Sequence, residues 1–157
     1  MNKKPFVILL IGVPLSGKTT FIRKNYPNTK VISRDDLVME VYGSDDYTSA
    51  FKEVDQKEVD RLLDLRLKEV NINKENVIVD MTNMTVIRRA KTLNYFSDNY
   101  YKAAIIFKVL EMEEYERRNN ERNIKENKWI PLFVIENMLN SYQEPTLDEG
   151  FDKIIKL

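Results

Sequence analysis

Apolar runs and mixed polar stretches alternate along this chain with two different periods. Phe6-Val7-Ile8-Leu9-Leu10-Ile11 is uninterrupted by any polar residue, the pattern of a strand buried on both faces. Val31-Ile32, Val77-Ile78-Val79 and the run from Ala103 to Val109 read as further strands, and Phe151 to Leu157 as a short final one. Between them the spacing turns helical. Thr19 to Asn25 follows the first strand. Residues 51–71 carry Phe51, Val54, Val59, Leu62, Leu63, Leu65 and Leu67 among charges, which predicts one long amphipathic helix. Thr85 to Asn99 predicts another. Residues 111–127 are dense in charge, as on a solvated or lid helix, and Pro131 opens a last helix reaching about Tyr142. Strands alternating with helices imply an α/β fold: a parallel sheet of four to five strands covered on both faces, with ligands at the C-terminal strand ends.

No repeat or proline- or glycine-rich linker interrupts this pattern, and 157 residues suit a single domain over 1–157. Composition narrows the chemistry. With no cysteine, a thiol nucleophile, disulfides and thiolate metal sites are excluded; with no histidine, any general base is a carboxylate, lysine or tyrosine. The longest apolar stretch, Pro5 to Val13, is too short to span a bilayer and runs into a glycine-rich motif instead of a cleavage site. The expected compartment is the cytoplasm, with no membrane partner. Lysine plus arginine and aspartate plus glutamate both number 25, so a broad electrostatic footprint on nucleic acid is not expected, although a few cations suffice to grip a strand end.

Gly12-Val13-Pro14-Leu15-Ser16-Gly17-Lys18-Thr19 fits G-x-x-x-x-G-K-[ST] between a strand and a helix, the context the motif requires. Gly12 and Gly17 let backbone amides curl toward phosphate oxygens, with Pro14, Ser16 and Thr20 in the same wrap. Lys18 is placed to reach the β- and γ-phosphates, and the Thr19 hydroxyl to bind Mg²⁺. Asn73-Lys74-Glu75-Asn76 lacks the final aspartate of a guanine-reading N-K-x-D, and Asp80-Met81-Thr82-Asn83 lacks a switch glycine, so the expected donor is ATP.

Ser33-Arg34-Asp35-Asp36 follows the second predicted strand and faces the phosphate loop. A phosphoryl acceptor needs a carboxylate to take its proton, and Asp35 or Asp36 is the natural choice. A helix N-cap and first-turn acids explain the same residues, and both descriptions can hold at once. Asp80 ends an apolar strand, either as a ligand to the Mg²⁺ shell or as a turn aspartate, and Thr82 and Asn83 beside it suit an acceptor contact. Arg118 and Arg122 lie four apart on one helical face, as lid cations over the γ-phosphate or as partners of Glu113, Glu114, Glu116 and Glu121.

Taken together these segments resemble the kinase domain of the polynucleotide kinases, both phage and mammalian, over nearly the whole chain. Ser33-Arg34-Asp35-Asp36 looks like the family's N-R-D, whose aspartate is the general base, here Asp35. Asp80-Met81-Thr82-Asn83 is similar to its D-x-T-N, and Arg118-Asn119-Asn120-Glu121-Arg122 to its lid R-N-x-x-R, whose second arginine contacts the transferring phosphate. Lys128-Trp129-Ile130-Pro131 and the stretch Tyr142 to Phe151 resemble the end of the mammalian domain. The resemblance implies a P-loop kinase fold with a helical lid at about 112–128, ATP with Mg²⁺, and the 5′-hydroxyl end of DNA or RNA as acceptor, with Arg34, Asp36, Thr82, Asn83 and Arg88 on the acceptor side. No segment resembles the family's phosphatase domain. The phage enzymes' acceptor-phosphate arginine is replaced here by Val38, as it is absent in the mammalian ones; Lys52, Lys57, Arg88, Arg89 or Lys91 are the candidate substitutes, and Tyr42, Tyr47 or Phe51 the candidate stacking partners for a base. Two other readings remain: a kinase for another hydroxyl, or a nucleotide-binding module without transfer.

Overall fold

The computed structural model describes residues 3–157. The chain runs β1 (Phe6–Ile11), α1 (Lys18–Asn25), β2 (Lys30–Ser33), α2 (Arg34–Tyr42), α3 (Tyr47–Glu53), α4 (Gln56–Asn73), β3 (Val77–Asp80), α5 (Val86–Leu93), β4 (Tyr101–Ile106), α6 (Met112–Glu126), α7 (Leu132–Ser141), a 3₁₀ turn (Leu147–Glu149) and β5 (Lys153–Lys156). The strands form one parallel sheet in the order β2-β3-β1-β4-β5. β1 is central, with β3 and β4 on its two sides, so the strand order reverses beside the phosphate loop that leaves its C-terminal end. The register aligns Ser33 with Asp80, which brings the start of α2 beside the end of β3.

The continuous apolar run of β1 serves two cores. Val7, Leu9 and Ile11 pack against α4, α5 and α7 through Leu67, Val70, Leu93 and Ile135. Ile8 and Leu10 face Ile22 of α1 and Ile105 and Phe107 at the end of β4. Leu9 and Leu10 are wholly buried, which stabilises the centre of the sheet by about 1.5–3 kcal/mol each. A third cluster, Leu37, Val38, Ala50, Val54 and Val59, joins α2, α3 and α4.

The pattern over 51–71 does not make one helix. Val54 is extended (ψ 143°), and the Asp55 side chain accepts from the Lys57 amide at 3.0 Å to cap a new helix. Burying Val54 in the third cluster holds this corner. β4 begins and ends earlier than the apolar run suggests: Tyr101 pairs with Phe6, and after Ile106 the chain leaves the ladder with the Phe107 amide still donating to Ile11. α5 stops at Leu93, where Asn94, Tyr95 and Phe96 turn back onto the carbonyls of Ala90, Thr92 and Leu93 and bury Phe96. Pro131 takes the cap position, extended at ψ 134°, and α7 starts at Leu132.

Candidate active site

The phosphate loop is shaped by close backbone approach. The Gly12 amide donates to the Thr82 carbonyl at 3.1 Å, tying the loop to the segment after β3. A Cβ at Gly12 would lie 2.8 Å from Ser16 Oγ and 3.0 Å from Phe107 Cβ, so no larger residue fits there. Leu15 takes a left-handed φ of 70°, unfavourable for a residue with a side chain. Its carbonyl accepts from Arg118 Nη1 at 3.0 Å, so the lid helix α6 is fastened to the turn of the loop. Gly17 (φ 99°) starts α1, and Lys18 Nζ donates back to the Gly12 carbonyl at 2.5 Å. Lys18 is thus held over the loop.

Every expected site residue other than Gly12 lines one open cleft of about 1700 Å³ at the C-terminal strand ends; Gly12 lies behind the loop, against a smaller cavity. Within the cleft Asp35 and Asp36 form the first turn of α2, whose Ser33 hydroxyl caps the Asp36 amide at 3.4 Å. Asp35 opens onto the cleft and is reachable by solvent, yet the surrounding walls desolvate it. That burial raises its carboxyl above the usual range, opposed first by Lys18, then by Arg122 and, more weakly, Lys128. Asp80 is also pushed up, by burial first, with Lys18 opposing and Asp35 and Asp36 adding to the shift. Burial lowers the Lys18 ammonium, and Asp80 and Asp35 draw it back up. Lysine and carboxylates therefore stabilise one another's charged forms, with Asp35 in electrostatic reach of Lys18 in the loop and of Arg122 and Lys128.

Arg122 supplies the clearest sign of a site suited to an anion. Its Nε and Nη2 are buried with no hydrogen-bond partner among the described residues. Its guanidinium carbon sits 5.8 Å from the Tyr47 ring centroid, over α3. Ser16 Oγ, in the loop, is likewise buried without a partner. A buried guanidinium left in this way costs stability unless an anion completes it. These orphaned donors, the curled amides and Lys18 fit a polyphosphate. For a metal, no group of three carboxylate-type ligands comes together among the described residues. Thr19 and Asp80, both on the cleft, fit a Mg²⁺ that takes its remaining ligands from phosphate oxygens and water.

Several acceptor-side expectations are corrected. Arg34 is turned onto α4, donating to Asp60 Oδ1 and Gln56 Oε1, each at 2.7 Å. Asn83 is buried at φ 52°, and its amide donates to the Leu10 carbonyl at 2.7 Å, so it latches β1 to the segment after β3 instead of meeting an acceptor. Arg89 is wholly buried and ion-paired with Glu149 at 2.8 Å, which removes it as an acceptor clamp. Val38 faces the third core cluster and not the cleft. Asp36, Thr82, Arg88 and Lys52 do line the cleft, while Lys57 and Lys91 do not. Residue pattern alone misses Lys128, which follows the lid helix and brings its ammonium 5.2 Å from the Tyr47 ring centroid. It belongs to no spaced motif that would single it out.

A family model described as an AAA domain matches residues 7–145. The chain belongs to this AAA-domain family. A search of curated proteins finds no match to it. Among solved structures, a chain of the Pnkp1/Rnl/Hen1 RNA repair complex superposes with a TM-score of 0.72 at 24% identity, covering 97% of this chain and 48% of that one. The AAA-domain chain thus spans about half the length of that relative. Kti12 of Chaetomium thermophilum, in complex with ADP-AlF3, superposes with a TM-score of 0.68 at 20% identity, over 96% of this chain and 88% of that one. A gluconokinase from Sinorhizobium meliloti 1021 follows at 0.56 and 13%, over 99% and 83%. At these identities the likeness is one of fold, a P-loop kinase-like α/β sheet. No helix among the described residues is long and apolar enough to cross a membrane.

Proposed function

We propose that this AAA-domain chain is a kinase that transfers the γ-phosphoryl group of ATP to the 5′-hydroxyl end of DNA or RNA. The observation that carries the reading is the position of Asp35, a solvent-reachable carboxylate that shares one cleft with Lys18 of the phosphate loop and Arg122 of the lid, both within electrostatic reach of it. The amides of the loop and Lys18 bind the triphosphate. Asp35 accepts the proton of the acceptor hydroxyl as its oxygen bonds to phosphorus and the bond to the β-phosphate oxygen breaks, releasing ADP. Arg122, its donors otherwise unpaired, neutralises charge on the transferring group, and Arg118 holds the lid on the loop. Mg²⁺, held by Thr19 and Asp80, supplies charge neutralisation on the β- and γ-phosphates when bound.

Support for a nucleic-acid acceptor comes from the order of the motifs around Asp35, Asp80 and Arg122 and from the fold shared with a chain of an RNA repair complex. A kinase for a smaller hydroxyl compound is the second reading, favoured by the zero net charge and by the burial of Val38 away from the cleft. The two separate in one assay: γ-labelled ATP and Mg²⁺ with 5′-hydroxyl DNA and RNA oligonucleotides beside gluconate and free nucleosides. Label on the oligonucleotide 5′ end is expected. Label on a small acceptor with inert oligonucleotides would replace this reading by the second.

A further inference from the structure

Three arginines of α6 reach the cleft, and two of them are held by polar partners. Arg117 and Arg118 both pair with Glu114, and Arg118 also donates to the Leu15 carbonyl. The buried Nε and Nη2 of Arg122 have no such partner among the described residues. What the structure places against Arg122 is the ring of Tyr47, whose centroid lies 5.8 Å from the guanidinium carbon, within the range of a cation–π attraction. A long side chain without hydrogen bonds loses conformational entropy when it is fixed in one orientation, and the ring is the contact that offsets this loss. Burial, then the nearby Asp35 carboxylate, pushes the Tyr47 phenol up to about 12, so the ring stays neutral and acts on the cation through its face.

The ring itself is fixed. Tyr47 opens α3, whose Asp46 cap accepts from the Ser49 amide at 3.1 Å. It is only 6% exposed and packs on Phe51 with 4.5 Å between ring centroids. Within the same helix Ala50 is wholly buried in the cluster that holds Leu37 and Val38 of α2. That helix carries Asp35 in its first turn. The surface under Arg122 and the helix of the base are therefore built on one small core, which ties the place of the lid cation to that of Asp35. We propose that Tyr47 is a positioning residue: its ring holds the Arg122 guanidinium, donors unpaired, in the orientation that meets the transferring phosphate. The effect on rate rests on the kinase reading of the cleft; the hold on Arg122 does not.

Two readouts test the proposal. In isotope-labelled, nucleotide-free protein, the Nε–H resonance of Arg122 is assigned by its absence in Arg122→Lys. It is expected in the same place in wild type and Tyr47→Phe, and shifted or broadened in Tyr47→Leu. In transfer from γ-labelled ATP to a 5′-hydroxyl oligonucleotide, Tyr47→Leu lowers kcat by about tenfold to a hundredfold, the scale of one misaligned group, with the KM for ATP little changed. Tyr47→Phe keeps kcat within about threefold, because phenylalanine presents the same face. On an Arg122→Ala background Tyr47→Leu has no further effect on kcat, whereas independent contributions would multiply. A trifluorinated phenylalanine in place of Tyr47 keeps the shape of the ring and weakens its negative face, and lowers kcat below that of Tyr47→Phe; this arm decides the matter if Tyr47→Leu does not fold. Losses that multiply, or an Arg122 resonance unmoved in Tyr47→Leu, overturn the proposal and leave the kinase reading standing. A loss confined to the acceptor KM makes the ring an acceptor contact and overturns it too. A resonance that depends on the ring, in a protein that transfers phosphate to no acceptor, supports the hold on Arg122 and overturns the kinase reading instead.

Discussion

Arg89 lies outside the cleft, yet the loops that build the cleft depend on it. It is wholly buried. Its Nε and Nη2 reach the two oxygens of Glu149 at 2.8 and 3.3 Å, Nη1 donates to the Asn83 carbonyl at 2.9 Å, and Nη2 also donates to the Gln143 carbonyl at 2.8 Å. Glu149 is only 8% exposed and accepts in addition from the Thr146 amide. Replacing Glu149 by glutamine leaves this guanidinium buried without a countercharge. Breaking such a pair costs about 3–5 kcal/mol, although the intact pair, set against its desolvation, is worth much less. For a chain of this length that loss lowers Tm by roughly 6–20 °C. The segment after β3 should loosen too, because Asn83 joins Arg89 to Leu10 and the neighbouring Thr82 carbonyl holds the Gly12 amide. Urea denaturation followed by circular dichroism reads the stability. The paired replacement Arg89→Met with Glu149→Leu should cost clearly less than the sum of the two single changes, since neither half is left charged in the interior. A Glu149→Gln protein within about 1 kcal/mol of wild type, or strictly additive effects, would refute the reasoning.

Other consequences concern the cleft. Arg122→Ala should lower kcat by more than it raises the KM for ATP, because its contact forms chiefly in the transition state; a pure KM effect would make it a ground-state ligand. The acid limb of kcat/KM should lie above the ordinary aspartate range, since burial raises Asp35 and only its ionised form accepts a proton. Arg122→Ala removes an opposing cation and should move that limb to higher pH; a limb that stays in place would remove Arg122 from the surroundings of the base. Stability follows with the opposite sign. A carboxyl raised on folding favours the folded state below its unfolded pKa, and that contribution is lost as pH rises through the folded value. Asp35→Asn should therefore raise the Tm of the nucleotide-free protein at pH 7, with the gain shrinking as pH falls through the raised value. Equal Tm at all pH values would contradict the burial argument.

The parts of the site legible in the sequence are those carried by contiguous segments. Gly12 to Thr19 sits between strand and helix, Asp35 in the first turn of a helix, and Arg118 and Arg122 on one helical face; the structure brings Pro14 to Thr19, Asp35 and the two arginines to one cleft, with Gly12 and Val13 behind the loop. What local pattern could not reveal depends on distant partners. Arg34 looks like an acceptor residue until Asp60 of α4 is folded beside it, Asn83 until Leu10 is, and Arg89 until Glu149 is. The break in 51–71 is likewise a tertiary effect: Val54 continues the helical spacing, and only the cluster it shares with Leu37 and Val59 turns the chain there. Strand order, too, is invisible to periodicity, because β1 reads the same at an edge or at the centre. Lys128 escaped because a lone lysine after a charged helix has no pattern, and its meaning comes from the Tyr47 ring beneath it.

The central claim is that Asp35 is the base of a phosphoryl transfer to a 5′-hydroxyl. A single-turnover experiment with γ-labelled ATP, Mg²⁺ and a 5′-hydroxyl oligonucleotide, run on wild type and Asp35→Asn with ATP affinity measured on both, tests it most directly. Label at the 5′ end with wild type, lost by at least a hundredfold in Asp35→Asn while ATP binding persists, is the predicted result, in line with the scale of general-base catalysis. Labelling at equal rates in both proteins, or none in wild type, would contradict the account.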